Sequence, residues 1–182
     1  MKEIKLPRGI RNNNPLNIVR TADKWVGLKK KHTDYRFCEF NDLALGYRAA
    51  FIILKKYIVK HGWKSIEQIV RHWAPENEND TKWYINNVAK FMDEQPDYEI
   101  DFNNMEDMLM LVSAMTVVEN GKDYNPQQRI TDLWRPMYYG YKMAIGEYNP
   151  KEIAYTPELH HAIYDIETQE SMAEQRWKNL IS

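Results

Sequence analysis

A mainly helical fold with one small β-hairpin is what this sequence of 182 residues predicts. Three observations carry that expectation. Leu45, Ala49, Ile52, Ile53, Lys56 and Tyr57 repeat at i, i+4, i+7 and i+8, the period of a helix with one buried face. Residues 105–118 are apolar nearly all round, which suits a helix in the middle of a core. Residues 8–41, by contrast, are rich in Asn, Gly and aromatics with little helical period, and read as loops around a short strand pair at 17–19 and 36–40. With 43% hydrophobic and 28% charged residues the chain can bury a core and is not disordered.

In chain order, the first long helix runs over 43–60 and stops at His61-Gly62. Ser65-Ile66-Glu67-Gln68 is a capping box, so a second helix reaches about Trp73 before Pro75 ends it. After a polar loop over 74–80, a third helix starts near Thr81 and ends near Met92. Residues 96–103 form a linker, Asn104 caps the apolar helix, and Gly121 sits where a terminating glycine belongs. Asn125-Pro126 opens the next helix, to about Trp134, with Pro136 as its punctuation. A last long helix is expected from Thr156-Pro157 to about Leu180, with Leu159, Ile163, Ile166, Met172 and Trp177 on one face. There is no internal repeat or low-complexity tract. The one plausible boundary, near Asn149-Pro150, divides the chain into a domain over 1–149 and a C-terminal helical extension over 150–182.

Charge and composition narrow the function. Lys and Arg total 25 against 26 Asp and Glu, so the overall balance gives no support to a nucleic-acid binder driven by counterion release. Cys38, the single cysteine, lies in a strand-like run and reads as a buried, inert thiol. No Cys/His cluster has zinc spacing and His160-His161 is adjacent rather than one turn apart, so no metal or other cofactor is expected. The N-terminus lacks an apolar signal-peptide core, and no apolar run approaches a membrane span. Action on a cell wall would therefore need delivery by another agent. Six Trp and twelve Tyr suit either a sugar-stacking groove or a core.

Glu119 is the leading catalytic candidate. It is the first acid after the apolar helix. A carboxylate there meets the negative end of the helix dipole, at a cost of about 0.3–1 kcal/mol, and the adjoining core removes water from it. Both effects favour the protonated form, which a general acid for glycoside cleavage requires. The competing reading is a side chain that reaches solvent past the last turn. Glu78 lies among acids and amides before the third helix, as a second carboxylate, a sugar-binding lip, or part of a solvated loop capped by Asp80. Asp34, Glu39 and Asp42 rank below it. The amides of Asn12, Asn13, Asn14 and Asn17 suit the N-acetyl and hydroxyl groups of a glycan, and equally suit turns. Trp25, Trp73 and Trp83-Tyr84 form a stacking platform or pack in the core.

Taken together, Arg8-Gly-Ile-Arg11-Asn-Asn-Asn14-Pro-Leu-Asn17-Ile18, Trp25-Val-Gly27, Phe37 and Phe40, Gly46-Tyr-Arg-Ala49, Arg71-His-Trp-Ala-Pro75, Glu78-Asn-Asp-Thr81 with Tyr84, and Glu119-Asn-Gly121 resemble a phage and prophage family of lysozyme-like virion proteins and endolysins. The resemblance covers roughly 8–135. It implies a lysozyme-like fold, peptidoglycan as partner, and cleavage of its glycan strands as a muramidase, glucosaminidase or lytic transglycosylase. Glu119 and Glu78 would be the catalytic pair, and Arg11, Asn13, Asn14, Asn17, Trp25, Trp73 and Tyr84 the substrate contacts. It also implies residence in a virion or in the host cytoplasm before release to the wall, with the C-terminal helix available to other virion proteins. The non-catalytic alternative is a virion or wall-binding protein that kept the groove and lost the chemistry. Leu16 departs from the family's usual Gly, and Glu76 is inserted into a loop that is usually Pro-rich. The order of the Asn-rich, Trp-x-Gly and Phe-x-x-Phe segments is also similar to cell-wall glucosaminidases. There the catalytic helix precedes them; here it follows, which implies a circular permutation with Glu119 in the acid's place.

Overall fold

The computed structural model describes residues 6–77 and 80–151. Within them lie six α-helices: α1 (Arg8–Arg11), α2 (Leu43–Lys55), α3 (Ile66–Trp73), α4 (Thr81–Met92), α5 (Met105–Asn120) and α6 (Arg135–Ala144). Glu78 and the helix expected over 156–180 lie outside the described residues.

Local chemistry explains most of the boundaries. The Asp42 side chain accepts from the Ala44 N–H and starts α2. That helix passes into a single π turn, Lys56–Lys60, and the chain reverses at Gly62, whose φ of 71° suits glycine. Ser65 and Gln68 form the full capping box of α3. Asp80 caps α4 by accepting from the Trp83 N–H, and the left-handed Asp93 ends it. Asn104 caps α5 by accepting from the Glu106 and Asp107 N–H groups, and both acids face the positive end of its dipole.

The core forms around α5. Met108, Leu111, Val112, Ala114 and Met115 are fully buried, as its apolar circumference requires. Helix α4 lies along α5, α3 along α4, and α6 makes an extensive contact with α2. Two buried hydroxyls on α5 are satisfied. Thr116 Oγ1 donates back to Val112 O (2.8 Å), and Ser113 Oγ accepts from Gln127 Nε2 (2.9 Å). The α2–α6 crossing is close at Gly140, where a Cβ would sit 2.6 Å from Tyr47 Cβ and 2.9 Å from the Arg48 nitrogen. Gly140→Ala is therefore expected to cost about 1–3 kcal/mol of stability, read as a lower urea midpoint at unchanged m-value, although alanine is ordinarily the better helix former.

Two expectations need correction. The hairpin over 17–19 and 36–40 does not form strands; among the described residues there are only isolated bridges, including Val19–Phe37 and Leu28–Phe40. The reason lies in Asn14. Its amide donates to both Ile18 O and Cys38 O (2.9 Å each) and accepts from the Ile18 N–H (2.9 Å), so a side chain takes the place of ladder bonds. Asn17, at φ 51°, also breaks the extended run. The left-handed residues of this loop are Asn13 and Asn17 (both φ 51°). Asn tolerates that conformation, which frees Leu16 to be a fully buried core residue. Second, Asn125-Pro126 opens only a turn. The helical chain begins with a π turn at Ile130–Trp134 and runs directly into α6, through Pro136. Pro136, at the junction of the π turn and α6, has no N–H to bond back into that turn, so the hydrogen-bond ladder is interrupted there while the helical course continues.

Candidate functional site

Helix α5 extends to Asn120, two residues beyond the apolar run, so Glu119 occupies its last turn and not the loop after it. Loop 12–17 is brought to that turn by Asn120, whose side-chain nitrogen donates to Pro15 O (2.7 Å) and to Thr116 O (3.0 Å). Helix α1 closes on the same spot through Gly9. A Cβ there would lie 2.5 Å from Asn120 Oδ1 and 3.2 Å from Asn17 Oδ1, so only glycine permits this approach. The left-handed turn at Asn17 then aims its amide at the helix end.

The result is a carboxyl held from two sides. Asn17 Nδ2 donates to Glu119 Oε2 (2.8 Å), and Tyr84 Oη, from α4, donates to Oε1 (3.1 Å). Glu119 is partly buried, and among the described residues no cation acts on it. Burial pushes its carboxyl above the ordinary range, and the bonds from Asn17 and Tyr84 offset this only in part. Tyr84 is itself buried, and desolvation together with the neighbouring carboxylate pushes its phenol well above its usual value, so it stays a donor. Each Glu119 oxygen accepts one bond where it can take two, which leaves a position on the carboxyl for a proton.

A raised native pKa fixes the sign of a stability effect. Between the unfolded value near 4.5 and the higher native value the folded chain binds more proton than the unfolded one, so stability falls as pH rises through that window. Wild type and Glu119→Gln are expected to differ least below pH 4, with the variant gaining relative stability up to pH 7, as read by urea unfolding at each pH.

The other acids of the loop region are committed to structure. Burial pushes Asp34 up, but the Phe37 N–H, the Asn12 amide, the Arg36 N–H and the Arg8 charge outweigh it and hold the carboxyl at about 2. Glu39 is likewise raised by burial and then brought below its usual range by the Asp34 N–H and by the Thr33 hydroxyl and N–H. Asp42 caps α2. Cys38 is buried and burial raises its thiol, as an inert side chain requires. Among the described residues no group of three His, Cys, Asp or Glu is placed to hold a metal, and no helix is long and apolar enough to cross a membrane.

Of the residues singled out in the sequence, Glu119, Asn17 and Tyr84 come together. Asn13 donates to Phe40 O (3.1 Å), and Asn14 is fully buried with both amide ends used. These two hold the loop that presents Asn17. Arg11 is exposed at the end of α1. Trp25 packs on the core with its Nε1 buried and unpaired. Trp73 belongs to an aromatic group with Tyr57 (ring centroids 6.4 Å apart). Asn120 and Gly9 were missed. Both lie inside motifs that carry the family resemblance, Arg8-Gly-Ile-Arg11 and Glu119-Asn-Gly121, but neither was singled out as a site residue.

No family model matches the chain. A relative does. Over 136 residues the chain is 40% identical to Protein P5 of Pseudoalteromonas phage PM2, an alignment that spans 73% of this chain and 83% of that one. At that identity and coverage, the chain belongs to the family of this phage protein.

Proposed function

We propose that the protein cleaves the glycan strands of bacterial peptidoglycan, as a hydrolase or lytic transglycosylase of phage type, with Glu119 as general acid. One observation carries this reading. The acid at the end of the buried helix is tethered by two neutral donors on separate elements, with its pKa raised by burial. A carboxyl kept for stability alone would be expected to have a cationic partner or open water. Here the geometry favours a proton that can be given away.

In this mechanism Glu119 transfers its proton to the glycosidic oxygen as the bond to the anomeric carbon breaks. The oxocarbenium-like centre is stabilised by Glu78, or by the substrate's own acetamido oxygen. The Glu119 carboxylate then takes a proton from the attacking water or sugar hydroxyl, which restores the acid. Asn17 and Tyr84 keep the carboxyl in one orientation through both transfers. Asp34 and Glu39 are excluded as partners by their internal hydrogen bonds. Kinship with a phage protein agrees with transport to the wall in a virion, and the segment over 150–182 is a candidate for contact with other virion proteins.

A second reading, a wall-binding protein without chemistry, is favoured by the same two bonds, because a scaffold would also use both Glu119 oxygens. Digestion of purified sacculi by the full chain, followed by mass spectrometry of the soluble products, separates the two. Release of muropeptides with reducing or 1,6-anhydro ends supports cleavage and names its type. Intact sacculi after prolonged incubation would leave only binding.

A further inference from the structure

The charge of the chain is close to zero overall but is unevenly placed. Residues 6–42 carry eight lysines and arginines against four acids. Two of those four, Asp34 and Glu39, are buried and bonded to backbone N–H groups, so they contribute little to the surface. What remains outside is basic.

Three guanidinium groups gather in one place. The Arg8 and Arg36 groups lie over the Phe37 ring, 5.2 and 5.3 Å from its centroid. Arg8 Nε is 3.4 Å from Asp34 Oδ2, and Arg20 Nη1 donates to Asp34 O (3.2 Å). The three contacts converge on Asp34 and Phe37: Arg8 meets the buried Asp34 carboxylate, Arg20 that residue's backbone oxygen, and Arg36 the ring it shares with Arg8. All three arginines are exposed. The cluster adjoins the Glu119 site on two paths. Arg8 precedes Gly9, which touches Asn120, and Arg20 follows Asn17 by three residues, at most about 10 Å of chain.

Planar guanidinium groups held in place, Arg8 by a ring and a buried anion, Arg36 by the ring and Arg20 by a backbone oxygen, are ordered donors suited to carboxylates. A neutral amino-sugar polymer has nothing to offer them, whereas peptidoglycan carries carboxylates on its stem peptides. We infer that the cluster of Arg8, Arg20 and Arg36 is a docking face for stem-peptide carboxylates, which gives the enzyme a preference for peptide-bearing glycan. This deepens the glycan-cleavage reading above and rests on it. A duplex nucleic acid is the less favoured anion, because the rest of the chain carries an excess of acids that would repel a long polyanion.

The test is cosedimentation of the full-length Glu119→Gln chain, which does not consume its target, with three materials. These are untreated sacculi, sacculi with carboxyls converted to neutral amides, and glycan stripped of stem peptides by an amidase, with the lactyl carboxyls that this frees also converted to neutral amides. Binding to untreated sacculi is expected to be at least about tenfold tighter than to either of the others. Adding Arg20→Gln and Arg36→Gln should remove that difference, and Arg20→Lys should keep most of it; Arg8 is left in place because it neutralises Asp34. Equal binding to untreated and amidated sacculi would overturn the inference, as would unchanged binding by the double variant with native circular dichroism. Stripped and capped glycan binding as well as untreated would assign the contact to the sugars themselves, and displacement by duplex DNA would assign it to nucleic acid; either result overturns the stem-peptide assignment. Cleavage by wild type is scored separately. Charge-dependent binding without cleavage would remove the enzymatic reading and leave the docking face, while cleavage without charge preference would do the reverse.

Discussion

Glu119→Gln is expected to slow release of soluble muropeptides from sacculi by a factor of about 10²–10⁴, the range that a positioned proton donor contributes. The variant is informative because its fold should survive. Glutamine has nearly the same shape, its oxygen can accept from Asn17 as Oε2 does now, and its NH₂ can donate to the Tyr84 oxygen if that hydroxyl turns. It also removes a carboxylate whose ionised form burial opposes, so its stability at neutral pH should match or exceed that of wild type. Loss of activity with retained stability would separate chemistry from scaffolding. Loss of both would show that the carboxyl serves the fold, and full activity would move the proton donor elsewhere.

Gly46→Ala is expected to be the most disruptive single-methyl change. A Cβ at this position of α2 would lie 1.9 Å from Asn13 O and 2.9 Å from the Asn13 carbonyl carbon. The obstacle is backbone, so no rotamer change relieves it. Either α2 or loop 12–17 has to move. Both are anchored, α2 against α6 in the core and the loop by Asn120, Asn13 and Asn14. Such overpacking costs about 3 kcal/mol or more, or a fall of roughly 6–12 °C in the melting temperature of a chain this long. The loop should yield first, which would draw Asn17 away from Glu119 and lower activity at temperatures where the variant remains folded. Calorimetry and sacculus digestion at 20 °C check the two parts. A melting temperature within a degree of wild type would mean that the α2–loop contact is looser than described.

These expectations depend on features that the sequence revealed unequally. The capping box at Ser65, the caps at Asp80 and Asn104, and the apolar circumference of α5 were legible because each depends on residues within one or two helical turns. Glu119 was legible for the same reason, as an acid where a buried helix ends. Its partners were not legible from spacing. Asn17 lies 102 residues away and Tyr84 lies 35 away; both were singled out as sugar contacts, and the structure places them on the acid. The hairpin was misread because the Asn14 amide, a side chain, captures backbone groups that periodicity assigns to a ladder. The close approaches at Gly9, Gly46 and Gly140 depend on which surfaces meet, and that information is tertiary. Pro136 misled because a proline can interrupt the hydrogen-bond ladder without ending the helical course, and here the chain passes from the π turn into α6 through it.

The protonation of one carboxyl is the centre of this account, and it can be read directly by following the ¹³C resonance of the Glu119 side-chain carboxyl with pH, assigned by its absence in Glu119→Gln. The account predicts a midpoint clearly above 4.5, the ordinary value for a glutamate, and higher again in Tyr84→Phe, which loses one donor to the carboxylate. A midpoint at or below 4.5 in the wild-type protein would contradict it.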